Sequence, residues 1–426
     1  MKTIALTAAP PRTADILQLT PLVDPVAEQY ERWIYPPPSD DLAQLPLTSP
    51  FWRFKDLRDL YWAYWPSAAY RDDLELLVAG CGSMAAACYA YLYPRSRVLG
   101  IDISAASLAH EDFLRQKHNL SNLELRPCRV EEADALGRRF DFIACHGVLH
   151  HLADPAAGLR ALGQVLQRAG VIDIMVYGRY GRAGVYMLQD LFRLLGLEQT
   201  TAGVQAVQEG LTALNPSHPV QRYLRLAMDL NGDAGLVDTF LHRRDRPFSA
   251  TECLDLVHEA GLVFQGWDDN GLYYPEAHLP PGHPFRLRLE RLPDRALYQA
   301  MELFYGNNPG HWFCACRPDR DPRSYTVQFE DEAFLDYIPV SRVTQIIPAD
   351  PWLQQPATIA RPPFPPIQLD PWAAAIFHQI DGQRSVRQCL AAVGTGTPQQ
   401  PAVDVARTLF RSLWRLGYAL YRISGP

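Results

Sequence analysis

The fold is decided by residues 74–83, which read LELLVAGCGS. A short apolar run ends there in Gly80-Cys81-Gly82, and the residues after it are small enough to start a helix. Glycines allow a backbone to approach a ligand closely, and the first turn of a helix offers unpaired N–H groups. The stretch therefore predicts a buried strand, a glycine loop and a helix. On its own it is equally typical of an ordinary tight turn.

Further apolar runs follow, with helix-like sequence between the first of them. We expect strands at 97–103, 123–125, 140–145, 171–177, 262–267 and 311–316. A helix is predicted at 156–167, with Gly170 in the turn behind it. Strands that alternate with helices at this spacing indicate βαβ units and a parallel sheet, so the fold class is α/β.

Composition divides the chain into three parts. Residues 1–70 are rich in proline, tyrosine and tryptophan, which suits an arm that wraps a surface. Residues 71–317 hold the predicted sheet, interrupted at 178–260 by apolar positions at helical spacing. A polar linker with two prolines follows, and residues 325–426 are expected to form a small α+β accessory domain.

Overall charge excludes several classes of partner. The 426 residues carry a formal net charge of −7, which gives no electrostatic reason to expect nucleic acid or an anionic membrane. Eight cysteines are too few for a disulfide scaffold, and no run of 18 apolar residues occurs. Since residues 1–11 do not resemble a signal peptide, we expect a cytoplasmic protein.

Polar residues stand at the ends of two predicted strands. Asp102 closes the second strand, where a carboxylate can accept both hydroxyl groups of a bound ribose. The alternative is that Asp102 caps a helix that begins at Ser104. Residues 141–152, DFIACHGVLHHL, place further polar groups at the end of a central strand, where open α/β sheets bind ligands.

These motifs, in this order, resemble the class I S-adenosylmethionine-dependent methyltransferases. The likeness rests on LLVAGCG at 76–82, DISAASLA at 102–109 and GVLHHLADP at 147–155. Residues 26–32, VAEQYER, also look like a segment that precedes the domain in a bacterial subgroup. Proteins of that subgroup often carry tetratricopeptide repeats, which are absent here. The resemblance covers about residues 25–317.

The resemblance implies a Rossmann-like class I methyltransferase sheet, S-adenosylmethionine as cofactor, and methyl transfer to an oxygen, nitrogen or sulfur acceptor. The residues that would contact the cofactor are Ala79, Gly80, Cys81, Gly82, Asp102, Ile103, Val130, Glu131, His146 and Gly147. Three positions depart from the family pattern: Val78 replaces an acidic residue, Met84 a third glycine, and Arg129 an aspartate. We expect Met84 to add bulk beside the cofactor.

Histidines are the candidates for a catalytic base, because O- or N-methylation can require a group that accepts a proton. His146 is predicted to face the pocket and to be the catalytic residue. The pair His150-His151 is more typical of a structural role at a strand end. Adjacent histidines do not easily share one ion, so no metal site is expected.

The predicted insertion would overhang the reactive end of the cofactor. Possible substrate contacts are Tyr177, Arg179, Tyr180, His242, Arg243 and Arg244. Residues 240–249 are polar enough for a lid, but they equally suit a solvated loop with Ser249 as a helix cap. The expected acceptor is a small molecule or a protein or peptide, and the C-terminal domain is expected to bind protein, not nucleic acid.

Two other functions fit parts of the pattern. One is a catalytically silent binding protein, in which Met84 crowds the glycine loop. The other is a nicotinamide-dependent oxidoreductase, because a glycine loop with Asp102 also suits a dinucleotide. The missing third glycine and the GVLHH run argue against the oxidoreductase.

Overall fold

A computed structural model describes residues 24–45, 57–227, 230–349, 355–361, 366–394 and 400–423. Two parts of the predicted N-terminal arm, residues 1–23 and 46–56, lie outside this set, as do residues 228–229 of a predicted helix in the insertion.

A seven-stranded sheet forms the centre of the molecule, in the order β3-β2-β1-β4-β5-β7-β6. Its strands are β1 Glu75–Ala79, β2 Arg97–Asp102, β3 Leu123–Pro127, β4 Phe140–His146, β5 Leu166–Tyr177, β6 Val263–Trp267 and β7 Gly310–Cys316. The pairings among β1 to β5 are parallel, and β7 runs antiparallel to both of its neighbours. The predicted strands and the α/β fold class are confirmed.

Both faces of the sheet are covered, which is why its strands read as continuous apolar runs. Side chains of successive residues point to opposite faces of a strand. Leu77 and Ile143 belong to one buried cluster, whereas Leu76 and Phe142 belong to the cluster on the other face.

Fifteen helices occur in the described part of the chain. Their bounds are α1 Pro25–Arg32, α2 Leu57–Tyr64, α3 Ala85–Leu92, α4 Ala105–Lys117, α5 Pro155–Gln164, α6 Ala183–Leu194, α7 Thr201–Thr212, α8 Val220–Leu226, α9 Asp233–Phe240, α10 Ala250–Glu259, α11 Pro284–Leu289, α12 Asp294–Tyr305, α13 Pro371–Phe377, α14 Val386–Ala392 and α15 Gln400–Arg415. Within these ranges, no helix combines the length and the apolar character needed to cross a membrane.

One boundary differs from the prediction. The helix expected at 156–167 ends at Gln164, and β5 starts two residues later. Leu166 pairs with Phe140, but the next pair joins Val171 to Phe142. The register shift accommodates the residues between them, including Gly170, without leaving the sheet.

The helices after β5 fall into two groups. Helices α6, α7 and α9 share a small apolar core, to which Val185, Val207 and Phe240 contribute. Helix α10 leaves that group, and its Cys253 and Val257 pack into the core of the sheet. Ser249 caps α10 with a complete capping box, as one of the two sequence interpretations of 240–249 expected.

The C-terminal residues form a separate apolar core beside the sheet. Its strands are β8 Ile338–Ser341, β9 Gln345–Ile347, β10 Ala357–Ala360, β11 Ile367–Leu369 and β12 Ala419–Arg422. They make a three-stranded sheet, β11-β10-β9, and an antiparallel pair, β12-β8. Arg415 of α15 pairs with Glu276 at 2.9 Å and joins this unit to the main body.

The helix behind the glycine loop is capped from another helix. Met84 occupies the N-cap position of α3, but its side chain accepts no hydrogen bond from the backbone N–H groups of the helix. Instead, the carboxylate of Glu111 on α4 accepts hydrogen bonds from the backbone N–H groups of Ala86 and Ala87, both at 2.8 Å. Burial raises the pKa of Glu111 to about 8, although these two donors favour its ionised form.

Glu111→Gln is expected to lower the free energy of unfolding by about 1–3 kcal/mol near pH 5, because the amide supplies only one oxygen for two donors. The raised pKa also sets a pH dependence. A folded state that holds a proton up to about pH 8 loses stability as the pH rises from about 4.5 to 8, and the glutamine removes this contribution.

Urea unfolding near pH 5 and near pH 8.5 measures both effects, with the exposed Glu209→Gln on α7 as the control. The same pH dependence in wild type and Glu111→Gln would show that Glu111 ionises normally.

Candidate active site

A cavity opens at the edge of the sheet where β1, β2 and β4 end. It encloses about 1170 Å³, part of which is open to solvent. The strand order reverses between β1 and β4, and open α/β sheets bind their ligands at such a point. The cavity therefore lies where the topology predicts a ligand site.

Most of the residues predicted to bind a cofactor line this cavity. They are Gly80, Cys81, Gly82, Asp102, Ile103, Val130, Glu131, His146 and Gly147. Ala79 is the exception, because its side chain is buried in the core of the sheet. The neighbouring Val78 lines the cavity instead.

The glycine loop is held in a conformation that requires its glycines. Gly80 and Gly82 have φ angles of +71° and +56°, which side chains disfavour. A Cβ atom on Gly80 would also lie 2.4 Å from Cγ2 of Val148. The N–H groups of Gly80 and Cys81 both donate to the carbonyl of Ile101, so the loop is bonded to β2.

Asp102 connects the loop to the next helix. Its Oδ2 accepts the N–H of Gly82 at 2.8 Å, and its Oδ1 accepts the N–H of Ser104 at 2.9 Å. The N–H of Ile103 is a third backbone donor to this carboxylate. An ionised carboxylate offers about four acceptor positions, so capacity remains for a ligand. The cap of α4 is Ser104, whose Oγ accepts the N–H of Ser107. The interpretation of Asp102 as that helix cap is therefore wrong.

Met84 does not crowd the loop from the cavity side. Its side chain is buried in the apolar cluster between the sheet and α3 and is not part of the cavity wall. The Met84 side chain, which we expected to lie beside the cofactor, therefore points into the apolar core instead.

His146 is anchored at the far end of the cavity by a buried acid. Its Nε2 lies 3.0 Å from Oδ2 of Asp173 on β5, and the Asp173 side chain has no exposed surface. The hydroxyl of Tyr64 donates to the same oxygen at 3.1 Å. A carboxylate only accepts hydrogen bonds, so the neutral ring carries its hydrogen on Nε2, facing Asp173. Nδ1 then carries the lone pair.

Helix α1 forms a wall of the cavity that the motifs did not reveal. Asp24, at its N-cap, pairs with Arg129 at 2.6 Å and with Arg244. Burial opposes the ionisation of Asp24, but the hydrogen bonds from Arg129 and from the N–H of Val26 lower its pKa, as does the charge of Arg244. Arg129, where the family pattern often has aspartate, thus neutralises a carboxylate from α1.

The other end of α1 makes two more contacts around the cavity. The hydroxyl of Tyr30 donates to Oδ1 of Asp238 on α9 at 2.9 Å. The carboxylate of Glu31 accepts the N–H groups of Ala105 and Ala106 at the start of α4. Helix α1 therefore joins the helical insertion to the methyltransferase-like sheet.

The predicted substrate contacts lie outside the cavity wall. Arg179 pairs with Glu252, Arg243 with Glu28, and Arg244 with Asp24. Tyr177 and His242 stand behind the wall, where they contact Asp238 and Tyr30 respectively. These side chains support the site instead of facing it.

Several residues of the cavity wall were not predicted as site residues, among them Tyr30, Asp238 and His151. Of these three, only His151 had a feature visible in the sequence, because it lies five residues after His146. His150 has nearly the same position in the sequence, yet it does not line the cavity. Tyr30 and Asp238 are 208 residues apart, so no local pattern connects them.

Comparison with known proteins matches part of the sheet, including the glycine loop, to one family of domains. The family model for a methyltransferase domain matches residues 77–172. An uncharacterized protein of Synechococcus sp. is 29% identical over 235 residues, which are 54% of this chain and 56% of that protein. The ubiquinone biosynthesis O-methyltransferase of Acinetobacter baumannii is 29% identical over 102 residues, or 24% of this chain and 40% of that protein. The chain thus spans only about half the length of these curated relatives.

The structure of PKMT2 from Rickettsia typhi in complex with AdoHcy has a similar fold. The alignment covers 92% of this chain and 77% of that chain, with a TM-score of 0.61 and 16% identity. Residues 77–172 therefore match a methyltransferase domain within a fold similar to that of PKMT2, and this stretch supplies the glycine loop, Asp102 and His146 of the cavity.

Proposed function

We propose that the protein is an S-adenosylmethionine-dependent methyltransferase. The observation that carries the proposal is the carboxylate of Asp102, which holds the glycine loop and turns its remaining acceptor positions toward the cavity. This arrangement suits a ribose with two hydroxyl groups.

The cavity wall fits the other parts of the cofactor. Ile103 and Val130 offer apolar surface for an adenine ring, and Glu131 offers an acceptor for its amino group. Gly80 and Gly82 leave room for the methionyl part, since neither carries a side chain. Bound S-adenosylmethionine would supply an electrophilic methyl group on a sulfonium sulfur.

The residues around the far end can orient an acceptor and accept its proton. Much of the rate of such a reaction comes from holding the reacting groups in line. His146 is the proposed catalytic residue, because Asp173 fixes its Nε2 hydrogen and leaves the lone pair of Nδ1 to accept a hydrogen bond that orients the methyl acceptor. Helix α1 and His146 together limit the access of water.

The proposed acceptor is a small molecule or a protein or peptide, carrying oxygen, nitrogen or sulfur. The C-terminal unit, with its own apolar core, is proposed to contact a protein partner. A catalytically silent binding protein is the alternative, and it differs by failing to transfer a methyl group.

Asp102→Ala is expected to weaken the binding of S-adenosylmethionine and S-adenosylhomocysteine by about 100-fold or more, because each lost bond to an ionised carboxylate is worth about 1.5–3 kcal/mol. Isothermal titration of the full chain measures this loss, and wild type is expected to bind with micromolar affinity. The exposed Asp112→Ala on α4 is the matched control.

NAD is the second ligand in the same titration. Binding of NAD alone would contradict the proposal and favour the oxidoreductase. If wild type binds none of the three at millimolar concentration, the silent binding protein is favoured instead.

Asp24→Asn is expected to raise the dissociation rate of S-adenosylhomocysteine about tenfold, because it removes the charge that pairs with two arginines across the cavity. A stopped-flow chase that follows tryptophan fluorescence measures the rate, since Trp33 caps α1. Asp190→Asn, which breaks an exposed pair with Arg193, is the control. Equal rates in all three proteins would show that α1 does not retain the ligand.

A further inference from the structure

We infer that His151 is a second catalytic residue, whose Nε2 accepts the proton of the methyl acceptor at the inner end of the cavity. This inference rests on the proposed function. It assigns a role to one histidine of the adjacent pair and none to the other.

The tautomer of His151 is set by the backbone. Its Nδ1 lies 2.9 Å from the carbonyl oxygen of Arg244, and a carbonyl oxygen can only accept. The hydrogen of the neutral ring is therefore on Nδ1, and Nε2 carries a lone pair. Because His151 lines the cavity, this lone pair is available to a bound molecule.

His150 has no comparable arrangement. Its Nδ1 accepts the backbone N–H of Tyr177 at 3.3 Å, and its ring stacks on that of Tyr177 with centroids 4.0 Å apart. It does not belong to the cavity wall. The two adjacent imidazoles thus face different surroundings, one structural and one open to a ligand.

A carboxylate and a second imidazole lie beside His151. A carboxylate oxygen of Asp238 lies within 4.8 Å of a ring nitrogen of His151. The ring of His242 stacks on His151 with centroids 3.8 Å apart, and burial lowers the pKa of His242 well below its usual range. His242 therefore stays neutral beside His151, while Asp238 stabilises a positive ring.

A metal ion is the other ligand that His151, Asp238 and His242 suggest by their spacing. The hydrogen bonds of His242 argue against it. Its Nδ1 accepts the N–H of Arg244 at 3.0 Å, so its Nε2 carries the hydrogen and faces the hydroxyl of Tyr30 at 3.4 Å. A metal ligand needs a lone pair, and His242 has none left.

The proton step balances without another reactant. The bond between the acceptor heteroatom and its hydrogen breaks, and the proton moves to Nε2 of His151. The electron pair of the heteroatom forms the new bond to the methyl carbon. The pair from the broken carbon–sulfur bond stays on sulfur.

The test uses sinefungin, a cofactor analogue with an amino group in place of the transferable methyl. An open Nε2 accepts a hydrogen bond from that amino group, which S-adenosylhomocysteine lacks. Wild type is expected to bind sinefungin about tenfold more tightly than S-adenosylhomocysteine, as a hydrogen bond to a charged group predicts. Isothermal titration of the full chain gives both affinities.

Two substitutions separate the two ring nitrogens. His151→Asn keeps a donor for the Arg244 carbonyl but has no atom at the Nε2 position, so the preference for sinefungin is expected to fall about tenfold. His151→Gln places an amide oxygen near that position and is expected to retain most of the preference. The readout is the ratio of the two affinities within each variant, and the exposed His258→Asn is the control.

An unchanged preference in His151→Asn would overturn the inference and leave the proposed function standing. Failure of wild type to bind either compound would overturn both. If the asparagine variant does not fold, ¹⁵N spectra of the wild-type histidines decide, with His151→Gln for assignment. A hydrogen on Nδ1 of His151 and a shift of Nε2 with sinefungin alone are expected, and a hydrogen on Nε2 would overturn the inference.

Discussion

The hydrogen bonds of Asp102 hold together the part of the molecule on which the site depends. One carboxylate receives N–H groups from the glycine loop after β1 and from the start of α4 after β2. These two connections belong to different βα units, and the cavity lies between them. Glu111 makes a similar arrangement behind the loop, because its buried carboxylate on α4 accepts hydrogen bonds from the first N–H groups of α3. Two acids on neighbouring segments thus place the loop and the helix behind it.

Segments far from the loop in sequence complete the cavity. Asp24 lies between Arg129 and Arg244, so one charge of α1 joins the sheet to the helical insertion. Tyr30 and Asp238 make a second connection between the same elements. The departure of Arg129 from the family pattern is understandable in these terms, because the negative charge at this place comes from α1. Parts of the chain outside residues 77–172 therefore complete the cavity wall near His151.

The sequence predicted the strands and the part of the cavity wall that the segments following them supply, because both depend on local patterns. Buried strands such as β1 and β4 read as apolar runs, and the residues that end them point into the site wherever the strand order reverses. The early start of β5 was missed because pairing with Phe140 outweighs the local preference around Gly170. Tyr30 and Asp238 were missed because only tertiary packing brings them together. His151 and His150 are adjacent and alike in sequence, and only their hydrogen-bond partners distinguish them.

The division of the cavity between the sheet and α1 has a consequence for how such proteins diversify. The loop, Asp102 and the neighbouring apolar residues come from one continuous stretch, whereas Asp24, Tyr30 and Asp238 come from α1 and the insertion. Under the proposed function, substitutions at Tyr30 or Asp238 would change the surface presented to an acceptor while Asp102 keeps its hydrogen bonds to Gly82 and Ser104. Duplicated genes could then diverge toward new acceptors and keep the proposed ribose contacts. An excised fragment limited to residues 77–172 would, for the same reason, lack the part of the cavity wall that Asp24, Tyr30 and Asp238 supply.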